Sequence, residues 1–327
     1  MLQPPTLRDV YRARRQIRPY LAPTPLRHSA GLSRLLDAEV WVKYESALPT
    51  SAFKVRGGVN LVSQLSPRER EAGLICSSTG NHGQSIAYAG RLFGAPVIVG
   101  APEGANPLKV AAMRDLGAEV VLHGRNFDEA REYVERVAAE RGLRYIHSGD
   151  EPLLIAGVGT HTLEVVEELH DVDVVIVPIG GGSGAAGAGI VAKTIDPLIQ
   201  VIGVQAAEAP AAYLAWRDHA PRTAPIRTFA EGLATGSSFS LPQAILHECL
   251  DDFILVSDDA LHEAVVLMLE HARSLTEAAG AAPLAGALAI RDRLADKRVV
   301  LIQSGANITL AGLREALVPA ERSSASP

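Results

Sequence analysis

The stretch VVIVPIGGGSGAAGAG, residues 174–189, decides the fold class. It begins as an apolar run rich in β-branched residues, breaks into glycine, and continues with small residues typical of a helix. A strand that ends in such a loop before a helix presents main-chain N–H groups to an anion. Residues 182–187 also match G-x-G-x-x-G, the fingerprint of a dinucleotide site. The stretch therefore predicts an α/β protein with a loop that binds phosphate.

The composition excludes several classes of protein. Hydrophobic residues make up 47% of the 327 residues and charged residues 21%, which is typical of a globular protein with a large core. The net charge of -6 argues against a nucleic-acid partner and against a basic helix on a membrane surface. The uncharged stretch 174–192 is rich in glycine and interrupted by Pro178, so we expect no membrane-spanning helix. Cys76 and Cys249 lack disulfide or zinc spacing, which favours reduced thiols in a cytoplasmic protein.

Apolar runs alternate with helical patterns along the chain. Most of the runs are apolar on both faces, as strands of a parallel sheet covered by helices must be. We predict strands at 97–100, 119–124, 174–179, 199–205, 252–257 and 298–304, with helices such as 127–142 and 258–275 between them. No repeat and no low-complexity linker divides the chain, so a second domain would be an insertion into the first.

One lysine has an unusual setting. Lys54 lies in ESALPTSAFKVRGG, residues 45–58, flanked by Phe53 and Val55, where Thr50 or Ser51 could cap a helix. A lysine in the first helical turn faces the positive end of the helix dipole, and apolar neighbours remove water from it. Both effects favour the neutral amine, which attacks carbonyl groups and forms Schiff bases. A single lysine is otherwise most often a solvated surface charge.

Two more loops follow predicted strands. LICSSTGNHGQSIAYAG, residues 74–90, predicts a strand, a polar turn and a helix whose N-terminus could hold a carboxylate. The same turn is also consistent with plain helix capping by Ser78 or Thr79. LIQSGAN, residues 301–307, ends a strand in a polar turn. Since open α/β sheets bind ligands beyond the carboxyl ends of their strands, we expect these loops to form one site.

Taken in order, these motifs resemble those of the threonine/serine dehydratase group of pyridoxal-5'-phosphate enzymes, in the fold-type II family of tryptophan synthase β. The resemblance implies an α/β fold with two open, twisted, mainly parallel sheets flanked by helices. It implies a large cofactor-binding domain of residues 1–65 and 150–327, a small inserted domain of residues 66–149 that carries SSTGNHG, and a homodimer. The matching segments are TPL (24–26), PTSAFKVRGG (49–58), SSTGNHGQ (77–84), IAGVGT (155–160), PIGGGSG (178–184), FAEGLA (229–234), EAAGAA (277–282) and SGAN (304–307).

The resemblance also assigns roles to residues. Lys54 would form the Schiff base with the cofactor and act in catalysis with Thr79. Phe53 would pack against the cofactor, Asn81 would bind its ring hydroxyl, and Ser304 would meet its pyridine nitrogen. The phosphate would lie in Gly180, Gly181, Gly182, Ser183 and Gly184. The substrate carboxylate would lie at Ser78, Thr79, Gly80, Asn81 and His82, with Glu231, Gly232 and Glu277 near the site.

The implied reaction converts a 3-hydroxy amino acid into a 2-oxo acid and ammonia by α,β-elimination. A threonine-like or serine-like substrate is the default. Phenylserine or hydroxyaspartate remains open, with His82, Arg56 and Arg227 as candidate partners for a second carboxylate.

Three other functions remain open at this stage. A non-catalytic small-molecule binder on this fold would keep the glycine loop but has no reason to keep Lys54 at a helix start. An amino-acid racemase would use the same cofactor, although the methyl group of Thr79 crowds a hydroxyl needed for reprotonation. An NAD-dependent oxidoreductase would rest on the G-x-G-x-x-G match, but the next predicted strand ends in Gln205 instead of an acidic residue. Gln205 and Ala211 also stand where serine racemases have acidic metal ligands, so we expect no metal.

Overall fold

The computed structural model describes residues 2–318, whose strands form a six-stranded and a four-stranded sheet covered by helices. The strands are β1 (Leu26–His28), β2 (Glu39–Tyr44), β3 (Leu74–Ser77), β4 (Val97–Ala101), β5 (Glu119–Leu122), β6 (Arg144–Tyr145), β7 (Val174–Pro178), β8 (Gln200–Ala206), β9 (Asp252–Val256) and β10 (Arg298–Gln303). The helices are α1 (Leu7–Ile17), α2 (Ala30–Leu36), α3 (Lys54–Ser63), α4 (Pro67–Ala72), α5 (Asn81–Phe93), α6 (Pro107–Asp115), α7 (Phe127–Arg141), α8 (Pro152–Glu168), α9 (Ser183–Ile195), α10 (Ala211–Asp218), α11 (Ser240–Cys249), α12 (Asp258–His271), α13 (Ala278–Ala289), α14 (Arg291–Leu294) and α15 (Leu310–Leu317). Short 3-10 turns lie at Glu45–Ala47 and Glu231–Leu233.

The larger sheet has the strand order β1-β2-β10-β7-β8-β9, and its strands are parallel except for β1. In β7, Val174 and Ile176 face one core with α13, whereas Val175 and Val177 face another with α8 and α9. Both faces of this strand are therefore buried, which explains why its sequence is apolar at every position. The predicted α/β class with mainly parallel sheets is confirmed.

The smaller sheet has the strand order β5-β4-β3-β6 and is parallel throughout. Leu74 and Cys76 of β3 pack towards α5 and α3, while Ile75 between them packs towards α7. All four strands come from residues 74–145, a single continuous segment. Such a segment is consistent with an inserted small domain, whose boundaries after residues 65 and 149 stay a prediction.

The sequence analysis did not identify β1, β2 or β6, and it extended the fifth strand to residue 124 where the structure ends it at 122. β2 was not predicted because it contains a charged residue, Lys43, which is nevertheless fully buried. The Lys43 ammonium donates to the Thr24 carbonyl at 2.7 Å and to Glu164 at 2.6 Å, which satisfies it in the interior.

The uncharged stretch 174–192 divides into β7, a loop and α9. Pro178 ends the strand and interrupts no helix. Within residues 2–318, no helix is long and apolar enough to cross a membrane. Cys76 and Cys249 are both free and buried, as predicted.

The packing of α9 on α11 predicts a stability change at Gly189. A Cβ at this position would lie 2.0 Å from Cys249 Sγ and 2.8 Å from its Cβ, so the helices would have to separate. Overpacking costs about 1–3 kcal/mol, of which the better helix propensity of alanine recovers up to about 1 kcal/mol. We expect Gly189→Ala to lower the free energy of unfolding, measured by urea denaturation.

The matched control is Gly104→Ala, because a Cβ at Gly104 would meet no atom within 4 Å. We expect this variant to unfold at the same urea concentration as the parent protein. Equal midpoints for Gly189→Ala and Gly104→Ala would contradict the close packing of α9 and α11.

Candidate active site

The loops that follow β2, β3 and β10 are joined by hydrogen bonds. The Phe53 N–H donates to the Ser304 carbonyl at 2.9 Å, and the Ala306 N–H donates to the Ser51 carbonyl at 2.9 Å. Asn307 Nδ2 donates to Asn81 Oδ1 at 2.7 Å, which connects the loops after β10 and β3. The predicted convergence of these strand-end loops on one site is therefore confirmed.

Lys54 is the first residue of α3, as predicted, and its side chain is partly buried. Its Nζ donates to Ser183 Oγ at 3.0 Å and to the Ser148 carbonyl at 3.2 Å. Burial lowers the pKa of this amine to about 8, in the predicted direction. The predicted helix cap was wrong, because Phe53 precedes the helix without a side-chain cap and Ser51 has a left-handed φ of 51°.

A buried group of four charges anchors α3. Arg56 is fully buried, and its guanidinium binds Glu45 Oε2 at 2.6 Å and Glu164 Oε1 at 2.6 Å. Lys43 Nζ also binds Glu164, so two cations meet two anions. Burial opposes ionisation of Glu45, yet the Arg56 guanidinium holds the pKa of that carboxyl at about 2. The Arg56 guanidinium is therefore fully paired with Glu45 and Glu164 inside the protein. The prediction that it could receive a second substrate carboxylate was wrong.

In the loop between β7 and α9, Gly180 and Gly181 lie where there is no room for a side chain. Gly182 has a left-handed φ of 90°, which favours glycine. A Cβ on Gly180 would lie 2.4 Å from the Gly232 carbonyl oxygen, and a Cβ on Gly181 would lie 2.2 Å from Phe239 Cε2. The main chain is thus pressed between Gly232 and Phe239 at the N-terminus of α9. Such a bare main chain at a helix start suits a small anionic group such as a phosphate.

The remaining residues of the fingerprint have local roles. A Cβ on Gly187 would lie 2.8 Å from Gly159 Cα, so Gly187 allows α9 to pack against α8. A Cβ on Gly184 would lie 3.1 Å from Phe53 Cε2, which places the Phe53 ring beside the loop. The Ser183 hydroxyl accepts from Lys54, a contact not foreseen in its predicted role as a phosphate ligand. The G-x-G-x-x-G match is therefore accounted for without a dinucleotide.

The loop after β3 is the predicted carboxylate site. Ser78 Oγ accepts from the Gly80 N–H at 3.0 Å, and α5 begins at Asn81. Ser78 thus orders the loop but does not cap the helix itself, and Thr79 beside it is partly buried. His82 is buried with Nε2 3.4 Å from the Ile146 carbonyl oxygen. Burial lowers the pKa of His82 to about 3, so its ring is neutral and offers no charge to a second carboxylate.

Glu277, Gly232 and Glu231 all lie beside these loops, as predicted. Asn81 Nδ2 donates to Glu277 Oε1 at 2.7 Å, and burial raises the pKa of the Glu277 carboxyl. Glu231 lies at the more exposed rim, where its carboxylate binds Lys109 Nζ at 2.7 Å.

Three residues of this region were missed in the sequence. Ser148 acts through its main-chain carbonyl, for which a sequence carries no side-chain signal. Phe239 is a lone aromatic residue, and Lys109 lies in α6 among residues that look like an ordinary surface helix. Within residues 2–318, no group of three or more histidine, cysteine, aspartate or glutamate residues could hold a metal. Gln205, one of the two positions at which no metal ligand was expected, accepts from the Tyr213 N–H through its Oε1 at 3.0 Å.

Comparison with known proteins agrees with this geometry. The family model described as pyridoxal-phosphate dependent enzyme matches residues 17–305. The L-threonine ammonia-lyase of Thermotoga maritima is 35% identical over 304 residues, which are 93% of this chain and 76% of the relative. Among solved structures, the processed form of threonine deaminase isoform 2 from Solanum lycopersicum has a TM-score of 0.89 and 30% identity, covering 98% of this chain and 97% of the other.

A racemase is also among the similar structures. The serine racemase from Dictyostelium discoideum has a TM-score of 0.87 and 30% identity, covering 94% of this chain and 99% of the other. The two open, mainly parallel sheets are those of the tryptophan synthase β-like fold. The chain belongs to the family of pyridoxal-phosphate dependent enzymes, in the branch of threonine dehydratases and serine racemases.

Proposed function

We propose that this protein is an ammonia-lyase that converts a 3-hydroxy amino acid into a 2-oxo acid and ammonia by α,β-elimination. Threonine and serine are the default substrates. Support comes from the threonine ammonia-lyase of Thermotoga maritima, which matches over 93% of this chain. We further propose that it acts as a cytoplasmic homodimer.

The observation that carries the proposal is the position of the Lys54 amine. It lies 3.0 Å from Ser183 Oγ at the start of α9, next to a glycine loop in which Gly180 and Gly181 have no room for a side chain. A phosphorylated aldehyde fits this arrangement, because it needs an amine at one end and an anion cradle at the other. The residues that would hold it are Lys54, Phe53, Asn81, Ser304, Gly180, Gly181, Gly182, Ser183 and Gly184.

When bound, the cofactor supplies an electron sink that stabilises negative charge developing at the substrate Cα. We assign removal of the Cα proton to Lys54, whose pKa of about 8 leaves a substantial fraction of neutral amine near neutral pH. The Ser183 hydroxyl and the Ser148 carbonyl orient this amine. The buried Ser304 is a neutral partner for a ring nitrogen, an arrangement that favours prompt loss of a β-substituent.

The substrate carboxylate is assigned to the loop of Ser78, Thr79, Gly80, Asn81 and His82. The N-terminus of α5 directs main-chain N–H groups into this loop. Ser78 fixes the Gly80 N–H through its hydroxyl, and Glu277 fixes the Asn81 side chain.

Loss of the β-hydroxyl as water requires one proton, which the protonated Lys54 amine can return. Hydrolysis of the enamine product of this elimination then consumes one water and releases the 2-oxo acid and ammonia.

Lys54→Ala tests the assignment of the amine. We expect the variant to lose at least about a thousandfold in formation of 2-oxo acid from serine or threonine, because it lacks both the covalent anchor and the base. Borohydride reduction of the parent protein should leave a pyridoxyl group on the peptide that contains Lys54, detectable by mass spectrometry. Chiral analysis of unreacted serine in the same assay measures any racemisation.

Lys193→Ala is the control, since Lys193 binds Asp251 at 2.7 Å near the other end of α9. It should keep both the activity and the mass tag at residue 54. Wild-type turnover by Lys54→Ala, or a tag on a different lysine, would contradict the proposal. Racemised serine without 2-oxo acid would instead favour a racemase.

The lowered pKa of Lys54 also predicts how stability depends on pH. Between about 8 and the ordinary value of 10.5, the unfolded chain holds a proton on Lys54 that the folded chain has lost. Stability therefore rises with pH across this window. Urea denaturation of the cofactor-free protein should show the parent gaining stability relative to Lys54→Met between pH 7.5 and pH 10.5. A constant difference between the two proteins would show that the Lys54 pKa is not lowered.

A further inference from the structure

We propose that Glu231 determines the class of substrate, because it neutralises Lys109 and so restricts the site to 3-hydroxy amino acids with uncharged side chains. The inference rests on the proposed function and narrows it. It separates serine-like and threonine-like substrates from dicarboxylic ones such as 3-hydroxyaspartate.

The Lys109–Glu231 pair spans the cleft between the two sheets. Lys109 lies in α6, which connects β4 and β5 of the smaller sheet. Glu231 lies in the 3-10 turn next to Gly232, which supports the glycine loop of the larger sheet. The two charged groups are 2.7 Å apart, with 12% of the lysine side chain and 42% of the glutamate side chain exposed.

The Lys109 amine also lies directly beside the proposed carboxylate loop. A Cβ built on Gly80 would lie 3.3 Å from Lys109 Cδ and 3.7 Å from Lys109 Nζ. Lys109 and Glu231 both act electrostatically on the buried Glu277 carboxyl, which is bonded to Asn81. The pair therefore lies close enough to the loop to influence a charged group on the substrate.

Three other basic residues near the site are not available to a second carboxylate. Arg56 is enclosed by Glu45 and Glu164, and His82 is neutral. Lys54 is assigned to the cofactor and to the Cα proton. Arg227 is exposed in the segment before the 3-10 turn, whereas the Lys109 amine lies beside the carboxylate loop, so we assign a second carboxylate to Lys109.

In the parent protein, the Lys109 ammonium is already paired with the Glu231 carboxylate. A second carboxylate would have to displace Glu231 from Lys109 and would be repelled by it, since like charges destabilise each other at short range. A substrate with an uncharged side chain neither has to displace Glu231 nor is repelled by it. Glu231→Gln keeps the shape of the side chain but removes its charge, which leaves Lys109 free to bind a carboxylate.

The test compares kcat/KM for L-serine and for 3-hydroxyaspartate in the parent holoenzyme, Glu231→Gln, Lys109→Met and the double variant. We expect Glu231→Gln to shift the ratio about tenfold towards 3-hydroxyaspartate. The double variant should lose this gain, because it lacks the ammonium. Asp251→Asn is the matched control, since it removes the carboxylate of another 2.7 Å lysine pair, and its ratio should equal that of the parent.

Calorimetric titration with L-aspartate and L-alanine gives a readout that requires no turnover. L-Aspartate carries the second carboxylate but no leaving hydroxyl, and Glu231→Gln should bind it about tenfold more tightly relative to L-alanine. An unchanged preference in Glu231→Gln, or a gain that persists in the double variant, would overturn the inference. If the parent acts on none of serine, threonine and 3-hydroxyaspartate, the proposed function fails, and the titration still tests the role of Glu231.

Discussion

The site depends on keeping the Lys54 amine inside the protein although its partners, a hydroxyl and a carbonyl, carry no charge. Burying an amine in this way is costly, and burial accordingly lowers the pKa of Lys54 to about 8. Ion pairs stabilise α3 two residues after Lys54, where Arg56 binds Glu45 and Glu164. These ion pairs hold the first turn of α3 in place, and with it the main chain that carries Lys54.

A second constraint is the tight main-chain packing of the glycine loop near the same amine. Gly180 and Gly181 bring the main chain against Gly232 and Phe239, and Gly187 brings α9 against α8. The small residues that allow this packing also leave main-chain N–H groups uncovered at the start of α9. Close helix packing and the proposed anion cradle thus involve the same stretch of sequence, which is why that stretch resembles a dinucleotide fingerprint without requiring a dinucleotide.

Much of this could be predicted from the sequence, because strands buried on both faces are apolar throughout and polar turns at their ends meet at one site. The positions of Lys54 at the start of α3 and of the glycine loop before α9 were predicted in this way. β2 was missed because Lys43 is charged yet buried, and Arg56 was taken for an available cation for the same reason. The contact of the Ser148 carbonyl with Lys54 could not be predicted, because it is made by the main chain and not by a side chain. Lys109 and Glu231 are 122 residues apart, so only the folded chain reveals that they pair.

The most direct test of the central claim is a crystal structure of the protein purified with pyridoxal phosphate. We predict continuous electron density from Lys54 Nζ to the cofactor, with the phosphate enclosed by residues 180–184. Density that leaves Lys54 Nζ free in solvent, or that places a nucleotide in the glycine loop, would contradict the account.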